Sequence, residues 1–189
     1  MIENIKTYAI NHHVPIICEE GLTFLKETLT KYQVKEVLEI GTAIGYSSIE
    51  MALVGCNIDT FERDVHMIEQ AKKNIKSLGL EHKIRLITED ALLYNGELKS
   101  SYDLIFIDAA KAQYQKFFEK FESRLSKEGI IVCDNLSFHH LDKTKVNRNT
   151  RQLLTKLENF VDFLKHNESY ETTFYDVGDG MSISKRIIK

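Results

Sequence analysis

The chain has 189 residues, 43% of them hydrophobic and 28% charged, with no biased tract, which excludes a disordered, fibrous or multidomain protein and leaves one folded domain. A formal net charge of -3 excludes a globally basic nucleic-acid coat, although fields act locally and a basic patch is compatible with that balance. In chain order, helical patterns over Ile2 to Asn11 and Glu20 to Tyr32 come first, joined by Val14-Pro15-Ile16-Ile17, where the only proline favours extended backbone. Residues 1–33 read as a helical preamble and residues 34–189 as the main unit of a single domain.

From Val34 onward, short aliphatic runs alternate with longer amphipathic stretches, the pattern of βαβ units on a parallel sheet. Strands are predicted over Glu36 to Ile40, Ile58 to Glu62, Ile84 to Thr88, Leu104 to Asp108 and Gly129 to Asp134. Helices are predicted near Ser47 to Val54, Val65 to Ser77, Gln113 to Ser123 and Thr150 to Lys165; Ile68, Ala71, Ile75 and Leu78 share one face of the second of these. Thr172 to Val177, Gly178-Asp179-Gly180 and Met181 to Ile187 then read as an antiparallel hairpin with a glycine-rich turn. The expected fold is α/β: a doubly wound, mainly parallel, seven-stranded sheet finished by a C-terminal hairpin.

The cysteines, Cys18, Cys56 and Cys133, are far apart and form no C-x-x-C pair, so neither a disulfide framework nor a thiolate zinc site is expected. Met1 to Lys6 lacks a basic stretch leading into an apolar one, and no apolar run reaches bilayer length. A cytoplasmic protein without a membrane partner is expected.

Leu38-Glu39-Ile40-Gly41-Thr42-Ala43-Ile44-Gly45-Tyr46-Ser47 puts two glycines between a buried strand and a helix. Glycine there is either turn chemistry or a means for a ligand to approach the backbone. The spacing is E-x-G-x-x-x-G and lacks the middle glycine that admits a pyrophosphate, which disfavours NAD and FAD. Glu39 offers a carboxylate for an ammonium group, and Glu62 ends the second strand where an acid can accept from ribose hydroxyls. Asp90, after the third strand, can hold an adenine edge. The three in order fit S-adenosylmethionine (SAM).

The fourth strand ends in Asp108-Ala109-Ala110-Lys111 and the fifth in Asp134-Asn135. Asp108, Asp134 and Asn135 together form a hard oxygen set suited to Mg²⁺ or another divalent cation, whereas Asp134-Asn135 alone also suits a plain turn. Lys111 is either a surface lysine or, leaning over such a cation, a base whose pKa the neighbouring charge lowers.

Through Glu39 to Ser47, Asp108 to Lys111 and Asp134-Asn135, the chain resembles the metal-dependent class I SAM O-methyltransferases, which include the catechol and caffeoyl-coenzyme A enzymes. Within that family it is most similar to the bacterial tRNA 5-hydroxyuridine methyltransferases, through His12 to Ile17, Ile107 to Lys111 with Gln113-Tyr114, and Val177 to Gly180 with Ile183-Ser184-Lys185. The resemblance implies donor contacts at Ile17, Glu39, Gly41, Thr42, Ser47, Glu62, Asp90, Ala91 and Asp108, metal ligands at Asp108, Asp134 and Asn135, and catalytic roles for Asp108 and Lys111. It also implies a lid in the preamble and a homodimer.

Lys143, Lys145, Arg148, Arg151 and Lys156 occur with no acidic residue between Lys143 and Leu157. This stretch is either a solvated loop and helix start or an RNA contact, with Lys143, Lys145, Arg148 and Arg151 on the rim of the site. Phe138, His139 and His140 are either stacking partners for a base or packing residues, and His12 and His13 read as lid or surface residues. The expected activity is methylation of wobble 5-hydroxyuridine in a tRNA anticodon loop, with no DNA partner. Methylation of small catechol-like molecules and non-catalytic nucleoside binding are the alternatives.

Overall fold

Alternation along the strands sets the architecture. The computed structural model describes residues 1–137 and 146–187, and its elements in chain order are α1 (Ile2–His12), α2 (Glu19–Lys31), β1 (Glu36–Ile40), α3 (Tyr46–Leu53), β2 (Asn57–Phe61), α4 (Val65–Ser77), β3 (Ile84–Ile87), β4 (Tyr102–Ile107), α5 (Tyr114–Phe121), β5 (Leu125–Cys133), α6 (Arg148–Lys165), β6 (Tyr170–Tyr175) and β7 (Met181–Arg186). In β4, Leu104 and Phe106 face a core shared with α1 to α4, while Ile105 and Ile107 face a second core shared with α5 and α6. Both faces of the sheet are therefore covered, as period-two side-chain placement on a parallel sheet requires. In the second core Phe118 packs edge-on to Phe160, Phe163 and Tyr170, with ring centroids 5.1–6.4 Å apart.

The strand order is β3-β2-β1-β4-β5-β7-β6; pairing is parallel from β3 to β5, and β7 is antiparallel to both β5 and β6. The expected doubly wound sheet with a terminal hairpin is what forms. Several boundaries shift by one or two residues, as at β4 and β6, and the start of β5 shifts most. β5 starts at Leu125 instead of Gly129: Leu125 pairs with Tyr102, the register shifts, and Ile130 pairs with Leu104. The predicted helix over Gln113 to Ser123 is a shorter α5 flanked by 3-10 turns at Lys111–Gln113 and Glu122–Arg124.

Side-chain caps account for several helix starts: Asp64 accepts from His66 and Met67 N–H ahead of α4, and Asn147 accepts from Thr150 N–H ahead of α6. Order reverses between β1 and β4, so the connections leaving their carboxyl ends run to opposite faces and open a crevice, the place where open α/β sheets bind ligands. Among the described residues, no helix is long and apolar enough to cross a membrane.

Candidate active site

A cavity of about 580 Å³ occupies that crevice. Its floor is the loop after β1. Gly41 and Gly45 sit at φ +108° and +84°, Ala43 also adopts positive φ, and the Gly41 and Thr42 N–H groups both donate to the Phe61 carbonyl. Gly41 admits no substituent, because a Cβ there would lie 2.0 Å from the Asp108 carbonyl oxygen. The ends of β1 and β4 thus touch through backbone.

Glu62 lines the cavity with its carboxylate tied by three backbone N–H groups: Ala43 at 2.8 Å, Arg63 at 2.8 Å and Asp64 at 3.0 Å. Asp90 accepts from Leu92 N–H at 2.8 Å and from the Arg63 guanidinium at 2.6 Å. Partial burial opposes its charge, but these donors outweigh burial and hold its carboxyl below the usual value. Gly41, Thr42, Ser47, Glu62, Asp90, Ala91 and Asp108 all line this one cavity, and Ile17, with Pro15 and Ile16, forms part of its wall.

Glu39 is the exception among the expected donor contacts. It is fully buried behind the loop, where its carboxylate accepts from Ser47 Oγ at 2.6 Å and from the hydroxyls of Ser48 and Thr60. Burial pushes its carboxyl above the usual range, against the pull of those hydroxyls. It does not line the cavity in this structure and reaches it through Ser47.

At the other end, Asn135 Nδ2 donates to Asp108 Oδ1 at 3.1 Å and Lys111 Nζ donates to Asn135 Oδ1 at 3.0 Å. Asn135 sits at φ +62°, and its N–H is held by Asp134 Oδ1 at 2.7 Å. Tyr114, on α5, donates its hydroxyl to the Asp134 carbonyl at 3.1 Å. The Asp108 carboxyl is pushed up to about 7 by burial, then by Asp134 and Glu39; that of Asp134 is pushed up to about 6, first by burial. Among the described residues, no three His, Cys, Asp or Glu side chains form a metal-binding group, so the expected set consists of two carboxylates and an amide. Two mutually repelling carboxylates and an amide oxygen fit a hard divalent cation, which would relieve that repulsion.

Arg63, Gln113 and Asp179 also line the cavity and are absent from the expected site. Arg63 directly follows Glu62 in the strand-ending Glu62-Arg63-Asp64, which was its only sequence signal; Asp179 lies between two turn glycines. Of the expected RNA contacts, Arg148 and Arg151 are exposed on the first turns of α6, which packs against the Lys111–Gln113 turn. Lys143 and Lys145, with Phe138, His139 and His140, lie outside the described residues.

A family profile described as "O-methyltransferase" matches residues 2–187. The chain belongs to the O-methyltransferase family. Within the family, it is 32% identical to the tapetum-specific methyltransferase 1 of Arabidopsis thaliana, an alignment that covers 93% of this chain and 78% of the relative. A structure from Staphylococcus aureus, provisionally assigned as a caffeoyl-CoA O-methyltransferase, superposes with a TM-score of 0.93 at 37% identity, over 98% of this chain and 92% of that one. The O-methyltransferase from Bacillus cereus, solved in complex with SAH, shares the fold with a TM-score of 0.82 at 20% identity, over 98% and 90% of the two chains.

Proposed function

We propose that this family member transfers the methyl group of SAM to a hydroxyl that has a second oxygen beside it, and that its substrate is 5-hydroxyuridine at the wobble position of tRNA. The observation that carries the first half is the backbone contact between Gly41 and Asp108, which joins a nucleoside-type site to Asp108 and Asn135 in one cavity, with Asp134 buried beside Asn135. Glu62 suits the ribose, Asp90 with Arg63 the adenine, and the Gly41 to Ser47 loop the methionine end.

Asp108, Asp134 and Asn135 are the residues that would hold a divalent cation, which when bound lowers the pKa of a coordinated hydroxyl. Lys111, anchored on Asn135, takes the hydroxyl proton. The acceptor oxygen then attacks the methyl carbon in line, the C–O bond forming as the C–S bond breaks, and S-adenosylhomocysteine leaves. Binding both partners in one cavity supplies much of the rate by positioning.

The tRNA substrate is supported by the exposed Arg148 and Arg151 at the start of α6, a helix that packs against the turn carrying Lys111. Exposed cations of this kind suit phosphodiesters. Nucleoside mass spectrometry of tRNA from a deletion strain tests this: 5-methoxyuridine should vanish and 5-hydroxyuridine accumulate. Unchanged 5-methoxyuridine, with turnover on a small catechol in vitro, would refute the RNA substrate and keep the methyl transfer.

A further inference from the structure

The turn between β6 and β7 reaches the acceptor end of the cavity from the far end of the chain. Gly180 N–H closes it on the Val177 carbonyl at 2.9 Å. Two further bonds clip it to the segment after β5: Leu136 N–H to the Gly180 carbonyl at 2.9 Å and Ser137 N–H to the Asp179 carbonyl at 2.8 Å. A Cβ on Gly180 would lie 2.4 Å from Ser137 Cβ, and one on Gly178 would lie 2.5 Å from Cys18 Sγ at the start of α2. The turn is wedged between the loop of Asp134 and Asn135 and the foot of the preamble.

Asp179, at the tip, lines the cavity with Asp108, Lys111 and Asn135. Among the described residues its carboxylate has no hydrogen-bond or ion-pair partner, and its charge opposes that of Asp134. Main-chain bonds therefore hold a solvent-exposed, acceptor-only group at the cavity edge, where water rather than the protein satisfies it and a ligand's donor can take the water's place. A carboxylate accepts and cannot donate, so it selects a ligand that offers a proton; Gln113, the amide nearby on the cavity wall, can do either and does not discriminate.

In 5-hydroxyuracil the 5-hydroxyl and 4-carbonyl are the adjacent oxygens, and the next ring position beyond the carbonyl is N3–H. A catechol carries only C–H there. We infer that Asp179 accepts the N3–H of the acceptor base and so selects a pyrimidine imide over a catechol. This rests on the hydroxyuridine reading.

The test compares an anticodon stem-loop RNA carrying 5-hydroxyuridine with the same RNA carrying its N3-methyl analogue, on wild type, Asp179→Asn and Asp179→Ala, with thermal melting to confirm that each variant folds. Wild type should favour the N3–H substrate in kcat/KM, and Asp179→Ala should lower that value about 10–100-fold and bring the ratio of the two substrates close to one, the loss expected for a hydrogen bond to a charged acceptor. Asp179→Asn, which keeps an acceptor oxygen, should recover part of the preference. A ratio unchanged in folded Asp179→Ala overturns the assignment. Failure of wild type to methylate either RNA overturns it too, and is told apart because the hydroxyuridine reading then fails before any variant is compared.

Discussion

Without metal, the protein should lose stability between pH 5 and pH 8, and Asp108→Asn should remove most of that loss. Burial first, then Asp134 and Glu39, lift the Asp108 carboxyl from 3.8 to about 7, and Asp134 reaches about 6. The unfolded chain releases these protons near its ordinary carboxylate values, whereas the native state keeps them until near neutrality. Native protein binds more protons over that interval, so the stabilisation is complete below about pH 4 and drains as pH rises through about 6 to 7. At ~1.36 kcal/mol per pH unit, the rise of Asp108 sets a ceiling of ~4 kcal/mol. Starting at pH 5 captures roughly 2–3 kcal/mol of it, and because the two carboxylates titrate as a pair their contributions are not summed. Urea unfolding in EDTA at successive pH values reads the effect, with stability taken from midpoint and slope. Wild type should fall by about 2–3 kcal/mol more than Asp108→Asn across this range. Parallel pH profiles for the two proteins would refute the reasoning.

Gly41→Ala should destabilise the fold by about 2–5 kcal/mol, the sum of positive-φ strain and a backbone clash, read as a lowered urea midpoint; a change under ~1 kcal/mol would show that the β1 and β4 loops separate freely. Glu62→Ala removes the acceptor of three loop N–H groups as well as the proposed ribose partner, so SAM affinity by calorimetry should drop about 10–100-fold, and an unaltered affinity would move the ribose elsewhere. Arg148→Ala should weaken binding of the anticodon stem-loop and reduce the slope of log affinity against log salt by about 0.7–0.9, whereas an identical slope would take that side chain off the RNA path.

Much of the fold was legible because apolar runs such as Leu104-Ile105-Phe106-Ile107 have too little polar character to lie anywhere but in a covered sheet. The start of β5 was not, since Leu125-Ser126-Lys127-Glu128 has the composition of a loop and pairs with Tyr102 only across a register shift. The candidate site was legible where acids directly follow strands, as Asp108, Asp134 and Glu62 do. Glu39 was expected at the cavity from its residue type, whereas period two puts it on the same side as Val37, toward α3 and its serines. Asp179 was read as part of a turn and of the family resemblance but not as a cavity residue, for its contact with Ser137 joins segments that no local pattern connects.

If donor and acceptor bind as proposed, the Gly41 contact with the Asp108 carbonyl acts as a fixed gauge between them. Spacing between methyl carbon and receiving oxygen is then a property of main chain, insensitive to which side chains line the acceptor end. On the proposed reading, substrate choice can therefore be rewritten at Asp179 while the length of the methyl's path stays the same.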